Sequence, residues 1–381
     1  MRQKKKSSRI GNTAILLCGN DSNVIYGSGF VAPDPFIFFQ IGRKKFIVAS
    51  DLEIGRARSE AKSANVLSLT EVTNFLKKKG IKQPSAADII SQLLRGYKVT
   101  DVIVPANFYI ELADGIRERG FNLTFKREPF FENRAIKTKD EIEKMSQVQR
   151  FTEEAVWAAV KVLRASKIRG NKLYYDGEPL TSEYVRKVIN VKLMEHNCVG
   201  VGTIVACGDQ GCDPHCQGSG LLRPHRSIIM DVFPRSTDTM YCADMTRTVV
   251  KGNASKELKN LYNAVYRAQE RGFELIRDGA DGSEIHREVE KVFEQHGYKT
   301  GQRNGKMEGF FHGTGHGIGL DIHEYPRIGK IGNILKKGYV VTNEPGLYYL
   351  GIGGVRIEDM VVIKKNGCRN LTKFPRFLEI E

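Results

Sequence analysis

Phe311-His312-Gly313-Thr314-Gly315-His316-Gly317-Ile318-Gly319-Leu320-Asp321-Ile322-His323-Glu324-Tyr325-Pro326 is the stretch on whose reading the fold turns. Three of the chain's 8 histidines fall in it, His312, His316 and His323, spaced among four glycines. Glycine keeps the backbone bare and open to dihedrals that other residues avoid. The segment therefore reads as a place where imidazoles are brought to a ligand that must approach the main chain closely. For a lone His-Gly pair a surface turn with incidental histidines is the plainer reading; carboxylates elsewhere in the chain decide against it here.

Ile228-Ile229-Met230-Asp231 is an apolar run ending in a carboxylate, and Asp244 lies inside the apolar segment Tyr241 to Val250. Glu344 closes the run from Val340, and Glu358 is enclosed by Val355 to Val362. A carboxylate in strand-like surroundings is costly unless a cation or hydrogen bonds offset its burial. Taken singly, each has a structural alternative: an ion pair with Arg247 for Asp244, a salt-bridged strand end for either Glu. Taken together with a Gly-flanked imidazole, four carboxylates neutralise two divalent cations and one neutral His completes the donor set. An oxygen-rich set favours hard ions, manganese first, with cobalt or zinc as alternatives.

Length and composition set the frame for this cluster. A chain of 381 residues exceeds what one core ordinarily serves, so two domains are expected. With 41% hydrophobic and 27% charged residues it is globular. The net charge of +15 raises nucleic acid as a partner, but the charge is spread and the triplets Lys4 to Lys6 and Lys77 to Lys79 read as solvated faces, so nucleic acid is disfavoured. The 7 scattered cysteines suit reduced thiols, and Cys207, Cys212 and Cys216 lack the Cys-x-x-Cys spacing of a structural zinc site. No run reaches the length of a membrane span, and Ala14 to Cys18 is too short for a secretory leader, so a soluble, cytoplasmic protein without membrane partners is expected. Residues 1 to 9 read as a disordered basic tail.

From Thr13 onward, short β-branched and aromatic runs (Ala14 to Cys18, Phe36 to Gln40, Lys45 to Ala49, Val102 to Pro105) alternate with helix-like segments at Glu53 to Ser63, Thr70 to Lys79 and Ala86 to Leu94. That pattern predicts an α/β domain over residues 1 to 135. Thr138-Lys139-Asp140-Glu141 has the form of a capping box and opens an apolar stripe from Ile142 to Leu163. Residues 136 to 381 then form an α+β domain. Its further helices are expected at Thr181 to His196, Ser255 to Arg277 and Ser283 to Gln295, and its strand-like runs include Val199 to Cys207, Ser227 to Phe233 and Met240 to Val250.

In these residues the chain resembles the metal-dependent aminopeptidases of the pita-bread fold, which include methionine aminopeptidase, aminopeptidase P and prolidase. The resemblance is weak over residues 13 to 135, where it suggests a creatinase-like N-terminal domain, and strong from Ile136, where it implies the pita-bread catalytic domain. It implies five metal ligands in the family's order, Asp231, Asp244, His316, Glu344 and Glu358, with Asp244 and Glu358 bridging two divalent ions. The long leader and Gly353 to Asp359 look like the Xaa-Pro branch. Asp213-Pro214-His215 matches the upstream active-site histidine of that branch, His312 and His323 its other two, and Arg356 an arginine near the substrate pocket. The implied activity is hydrolysis of N-terminal Xaa-Pro bonds by an aminopeptidase or dipeptidase, with Glu344, His215 and His323 acting on the reacting groups, His312 and Arg356 shaping the proline pocket, and a homodimer as the assembly. One departure stands out: many relatives have Gly two positions after the first ligand, where this chain has Phe233.

Methionine aminopeptidase-like activity is the nearest alternative, since His316 to Gly319 and His323 to Pro326 suit that branch too. A pita-bread relative that has lost catalysis and binds protein or nucleic acid is a second, disfavoured because all five ligand positions are filled; metal-free creatinase-like chemistry is disfavoured for the same reason. No phosphate-binding loop, His-Glu-x-x-His or Gly-x-Ser-x-Gly motif is present. His196, His225, His286 and His296 read as solvated or helix-end histidines.

Overall fold

Thr138 and Glu141 exchange the two hydrogen bonds of a capping box: the Thr138 N–H donates to Glu141 Oε2 (2.7 Å) and the Glu141 N–H to Thr138 Oγ1 (3.2 Å). They open the 27-residue helix Lys139–Ala165 in this computed structural model, which describes residues 12–303 and 305–381. The basic tail of residues 1 to 9 lies outside the described residues. Contacts divide the chain between Arg134 and Ala135.

In the N-terminal unit six strands form one sheet in the order Asn65–Ser68, Lys44–Ala49, Phe36–Ile41, Thr13–Gly19, Asp101–Pro105, Asn122–Lys126. Phe36–Ile41 runs antiparallel to both its neighbours, and the remaining pairs are parallel. Successive side chains of a strand point to opposite faces, and both faces are apolar. Leu16, Phe39 and Val102 pack with Ile90, Leu94 and Ile116 of helices Ala86–Gly96 and Ile110–Glu118. Leu17, Phe38 and Ile47 pack with Val24 and Ala57 of helices Ser22–Ser28 and Ile54–Glu60. Helix Ser22–Ser28 is not foreseen by periodicity, being only 7 residues long; it rests on Asp21, whose Oδ1 accepts from the Asn23 and Val24 N–H groups, and ends at Gly29 with φ 68°.

The C-terminal unit is built around two sheets. One has the order Ile204–Cys207, Ile228–Val232, Met245–Lys251, Glu379–Ile380. The other is antiparallel throughout, in the order Glu324–Ile328, Gly315–Gly317, Val340–Asn343, Asp359–Lys364, Gly367–Asn370. A hairpin of Gly346–Tyr349 and Gly353–Arg356 accompanies them. Helices Lys256–Leu275 and Gly282–Gln295 bury Leu258, Leu261, Val265, Val289 and Phe293 against Leu347, Val355 and Ile357 of the hairpin region. Two expected strands are shorter than their apolar runs. Val199 to Cys207 is split into Cys198–Gly200 and Ile204–Cys207, with Gly202 at φ 87° in the break, and the run from Met240 becomes a strand only at Met245, leaving Asp244 just before it.

Candidate metal centre

Asp231 is the fourth residue of strand Ile228–Val232, and Asp244 immediately precedes the strand that pairs with it. His316 is the middle residue of Gly315–Gly317, Glu344 follows Val340–Asn343, and Glu358 sits between Gly353–Arg356 and Asp359–Lys364. All five residues, far apart in sequence, line one cavity of about 960 Å³. One ligand atom from each of Asp244, His316 and Glu358 lies within 4.8 Å of the others. His316 Nε2 is 3.3 Å from Glu344 Oε1 and 3.7 Å from Asp244 Oδ2. Arg247 is not the counter-ion of Asp244; it pairs with Asp359 at 2.7 Å.

The tautomer of His316 follows from its hydrogen bond. Nδ1 faces the Gly317 carbonyl at 3.1 Å; a carbonyl only accepts, so Nδ1 carries the proton and the Nε2 lone pair faces the carboxylates. Asp231 Oδ1, Asp244 Oδ1 and Glu358 Oε1 are buried and have no hydrogen-bond partner. Oxygens that can only accept, with no donor aimed at them and an imidazole lone pair beside them, suit divalent cations. The electrostatics agree: burial and then the Glu358 and Asp231 charges raise Asp244 well above the ordinary carboxylate range, burial and then Glu344 do the same to Glu358, and burial raises Glu344 to about 7. Burial also pushes His316 down to about 3, with His323 adding to it.

A chain of hydrogen bonds fixes the other oxygens. Arg356 is buried, and its Nη2 donates to Asp231 Oδ2 (2.7 Å) while Nη1 donates to Tyr348 Oη (2.8 Å). The Tyr348 hydroxyl in turn donates to His312 Nε2 (2.9 Å), since His312 Nδ1 gives its proton to the Gly313 carbonyl (2.8 Å). Thr246 Oγ1 donates to Glu358 Oε2 (2.7 Å), and Thr342 Oγ1 to Glu344 Oε1 (3.0 Å). Arg356 thus engages the cluster through Asp231 and Tyr348. His215 and His323 are exposed on the cavity wall, the His323 ring standing edge-on to His316 with centroids 4.3 Å apart.

Two expectations are corrected. His286 is not a solvated or helix-end residue: it is 2% exposed, its Nδ1 lies 2.9 Å from Thr314 Oγ1, and it lines the cavity from the inward face of helix Gly282–Gln295. The glycines of the 311–326 stretch do not take unusual dihedrals, for none of the four has a positive φ. Their bareness also serves neighbouring chain and not open space for metals and peptide. A Cβ at Gly315 would run into the Thr342 carbonyl oxygen, one at Gly317 into that of Tyr325, and one at Gly319 would sit 2.7 Å from Glu324 Oε1.

Tyr348, Thr246, Thr342 and the cavity-lining Arg327 and Lys330 are not foreseen from the sequence. Hydroxyls in apolar runs and isolated basic residues carry no spacing signal; the only hint is that Tyr348 follows Glu344 by four residues.

The chain is similar to the Xaa-Pro dipeptidase of Pyrococcus furiosus, 33% identical over 246 residues that take in 64% of this chain and 65% of that protein, just under two thirds of its length. Among solved structures, an Xaa-Pro dipeptidase from Bacillus anthracis superposes with a TM-score of 0.82 over 98% of this chain and 96% of the other, at 23% identity. The prolidase from Pyrococcus furiosus does so at 0.78 over 96% and 97%, at 26% identity. These full-length superpositions establish the two-domain architecture, an N-terminal α/β domain before a pita-bread domain. Residues 143–365, more than half of the chain, match metallopeptidase family M24, and the chain belongs to that family of metal-dependent peptidases.

Proposed function

We propose that this protein hydrolyses the peptide bond between an N-terminal residue and proline, using two divalent cations held by Asp231, Asp244, His316, Glu344 and Glu358. The observation that carries this reading is the set of buried carboxylate oxygens without partners, gathered around the His316 lone pair in one cavity. The Xaa-Pro dipeptidases among the relatives supply the reaction class. Manganese is the expected metal because four of the five donors are carboxylates, and a homodimer is the expected assembly; elemental analysis and light scattering test these two points.

Divalent ions in such a site acidify a bound water and polarise the scissile carbonyl. The chain's own groups do the rest. Glu344, held by Thr342, takes the proton of the attacking water on its free carboxylate oxygen and passes it to the proline nitrogen as the C–N bond breaks. His323 and His215, both on the cavity wall, donate N–H groups to the carbonyl oxygen as it gains charge. His312, fixed by Tyr348, shapes the proline site. Arg327 and Lys330, exposed in the lining of the same cavity, attract the free carboxylate of a short substrate. That last feature favours dipeptides over longer peptides.

The test is turnover of Gly-Pro, Gly-Pro-Ala and Met-Ala-Ser by the purified protein with and without manganese. Cleavage of Gly-Pro alone identifies a dipeptidase, of Gly-Pro-Ala an aminopeptidase, and of Met-Ala-Ser the methionine branch. No metal-dependent turnover of any of them refutes the hydrolase reading.

A further inference from the structure

Phe233 lines the cavity together with Val201 and Ile204. It follows strand Ile228–Val232 directly, and the two-residue alternation of extended chain places it on the same face as Asp231; both line the cavity. The ring is only half-buried. Its tip rests over Gly202, where a Cβ would come 3.3 Å from Cζ and press on the ring. Val201 beside it is 66% exposed, and Ile204 closes the wall from behind at 4%. Apolar surface left uncovered inside a cavity, next to a few placed polar groups, is the mark of a subsite for an apolar group.

Charge decides which part of a peptide meets this wall. Arg327 and Lys330, contributed by strand Glu324–Ile328 of the other sheet and the loop after it, attract a terminal carboxylate, whereas Phe233 follows the strand that carries Asp231. The residue bearing the carboxylate therefore lies toward Arg327 and Lys330, and the first residue, on the other side of the scissile bond, lies toward Phe233. From this geometry, and resting on the Xaa-Pro reading above, we infer that Phe233, with Val201, forms the recognition wall for the side chain of the substrate's first residue and selects large apolar residues there. Asp213, which also lines the cavity, adds discrimination against acidic first residues.

The experiment compares kcat/KM for Leu-Pro and Gly-Pro in the full-length, metal-loaded protein. Wild type is expected to favour Leu-Pro about tenfold, and Phe233→Gly to bring the ratio close to one. Phe233→Leu is expected to retain most of the preference, and Val201→Ser, at an exposed position, to lower it about twofold. Thermal melts establish that each variant is folded; should Phe233→Gly not fold, the Val201→Ser ratio decides by the same criterion. A ratio that is unchanged or that rises when the ring is removed overturns the inference, because the ring would then be neutral or obstructive, while the Xaa-Pro reading survives. Absence of turnover by wild type on both dipeptides and on Gly-Pro-Ala overturns both; turnover of Gly-Pro-Ala alone moves the same comparison, with the same criterion, to Leu-Pro-Ala and Gly-Pro-Ala.

Discussion

His316 owes its single tautomer to one backbone carbonyl, and Asp231 owes its orientation to one guanidinium. Four of the five residues of the cluster are aimed by a group that the cluster does not contain, for Thr246 holds Glu358 and Thr342 holds Glu344 in the same way. Asp244 is the least supported of the five: its Oδ1 has no partner, and its N–H reaches only Met360 Sδ, at 3.2 Å. Asp244→Ala is therefore expected to abolish turnover and to release metal, read by elemental analysis of the dialysed variant; wild-type metal content there would refute its proposed place among the ligands. Tyr348→Phe removes the hydroxyl that bridges Arg356 and His312 while keeping the ring. It is expected to lower kcat about tenfold or more with metal content unchanged, so that the same two measurements separate positioning of His312 from binding of the ions. At this scale the sequence is informative where residues have local context. Four carboxylates at the ends of apolar runs and a histidine between glycines can be picked out one by one. Tyr348 and His286 cannot, because a hydroxyl or imidazole in an amphipathic segment is equally compatible with facing solvent, and only the packing of the hairpin and of helix Gly282–Gln295 turns them inward.

Arg247 ties several elements together in the interior of the C-terminal unit. At 2% exposure it donates to the carbonyls of Thr246, Glu358 and Phe374 and to Asp359 Oδ1. It thus connects strand Met245–Lys251 with strand Asp359–Lys364 and the C-terminal segment. Arg247→Met is expected to destabilise the protein by about 3–5 kcal/mol, because Asp359 is left buried without its partner; Arg247→Met with Asp359→Asn should recover part of that loss in urea unfolding. In the N-terminal unit, hydrogen bonds from Arg119 and Ser85 hold the Asp88 carboxyl down at about 2, below its ordinary 3.8. A depressed carboxyl contributes stability that is fully present above its ordinary value and is lost as pH falls through the folded one. The difference in stability between wild type and Asp88→Asn should therefore hold at neutral pH and shrink between about pH 4 and pH 2. Among elements, the long helices are legible from their caps and stripes. The short ones are not: seven residues of Ser22–Ser28 span too few turns to establish a period, and one glycine suffices to split an apolar run at Gly202.

Each unit has apolar clusters of its own, those around Leu16 and Leu17 in the first and those around Leu261 and Val361 in the second. All five residues proposed to hold the cations lie in the second, after Ala135. A ligand stabilises what it binds in the folded form and nothing else. Chelation is therefore expected to lower the thermal transition of the C-terminal unit while leaving that of the N-terminal unit in place, and manganese should restore it; calorimetry resolves the two. A metal-insensitive C-terminal transition would contradict the assignment.

The glycines of the 311–326 stretch have a mechanical consequence. With Gly315 and Gly317 the main chain lies directly against the carbonyls of Thr342 and Tyr325, so no compressible side chain stands in series between the strand carrying His316 and its surroundings. The spacing of the centre is then a stiff coordinate, which cannot loosen by rotamer change as the temperature rises. Loss of catalytic competence on heating should coincide with cooperative unfolding and not precede it, in contrast to sites whose ligands are spaced by soft side-chain contacts.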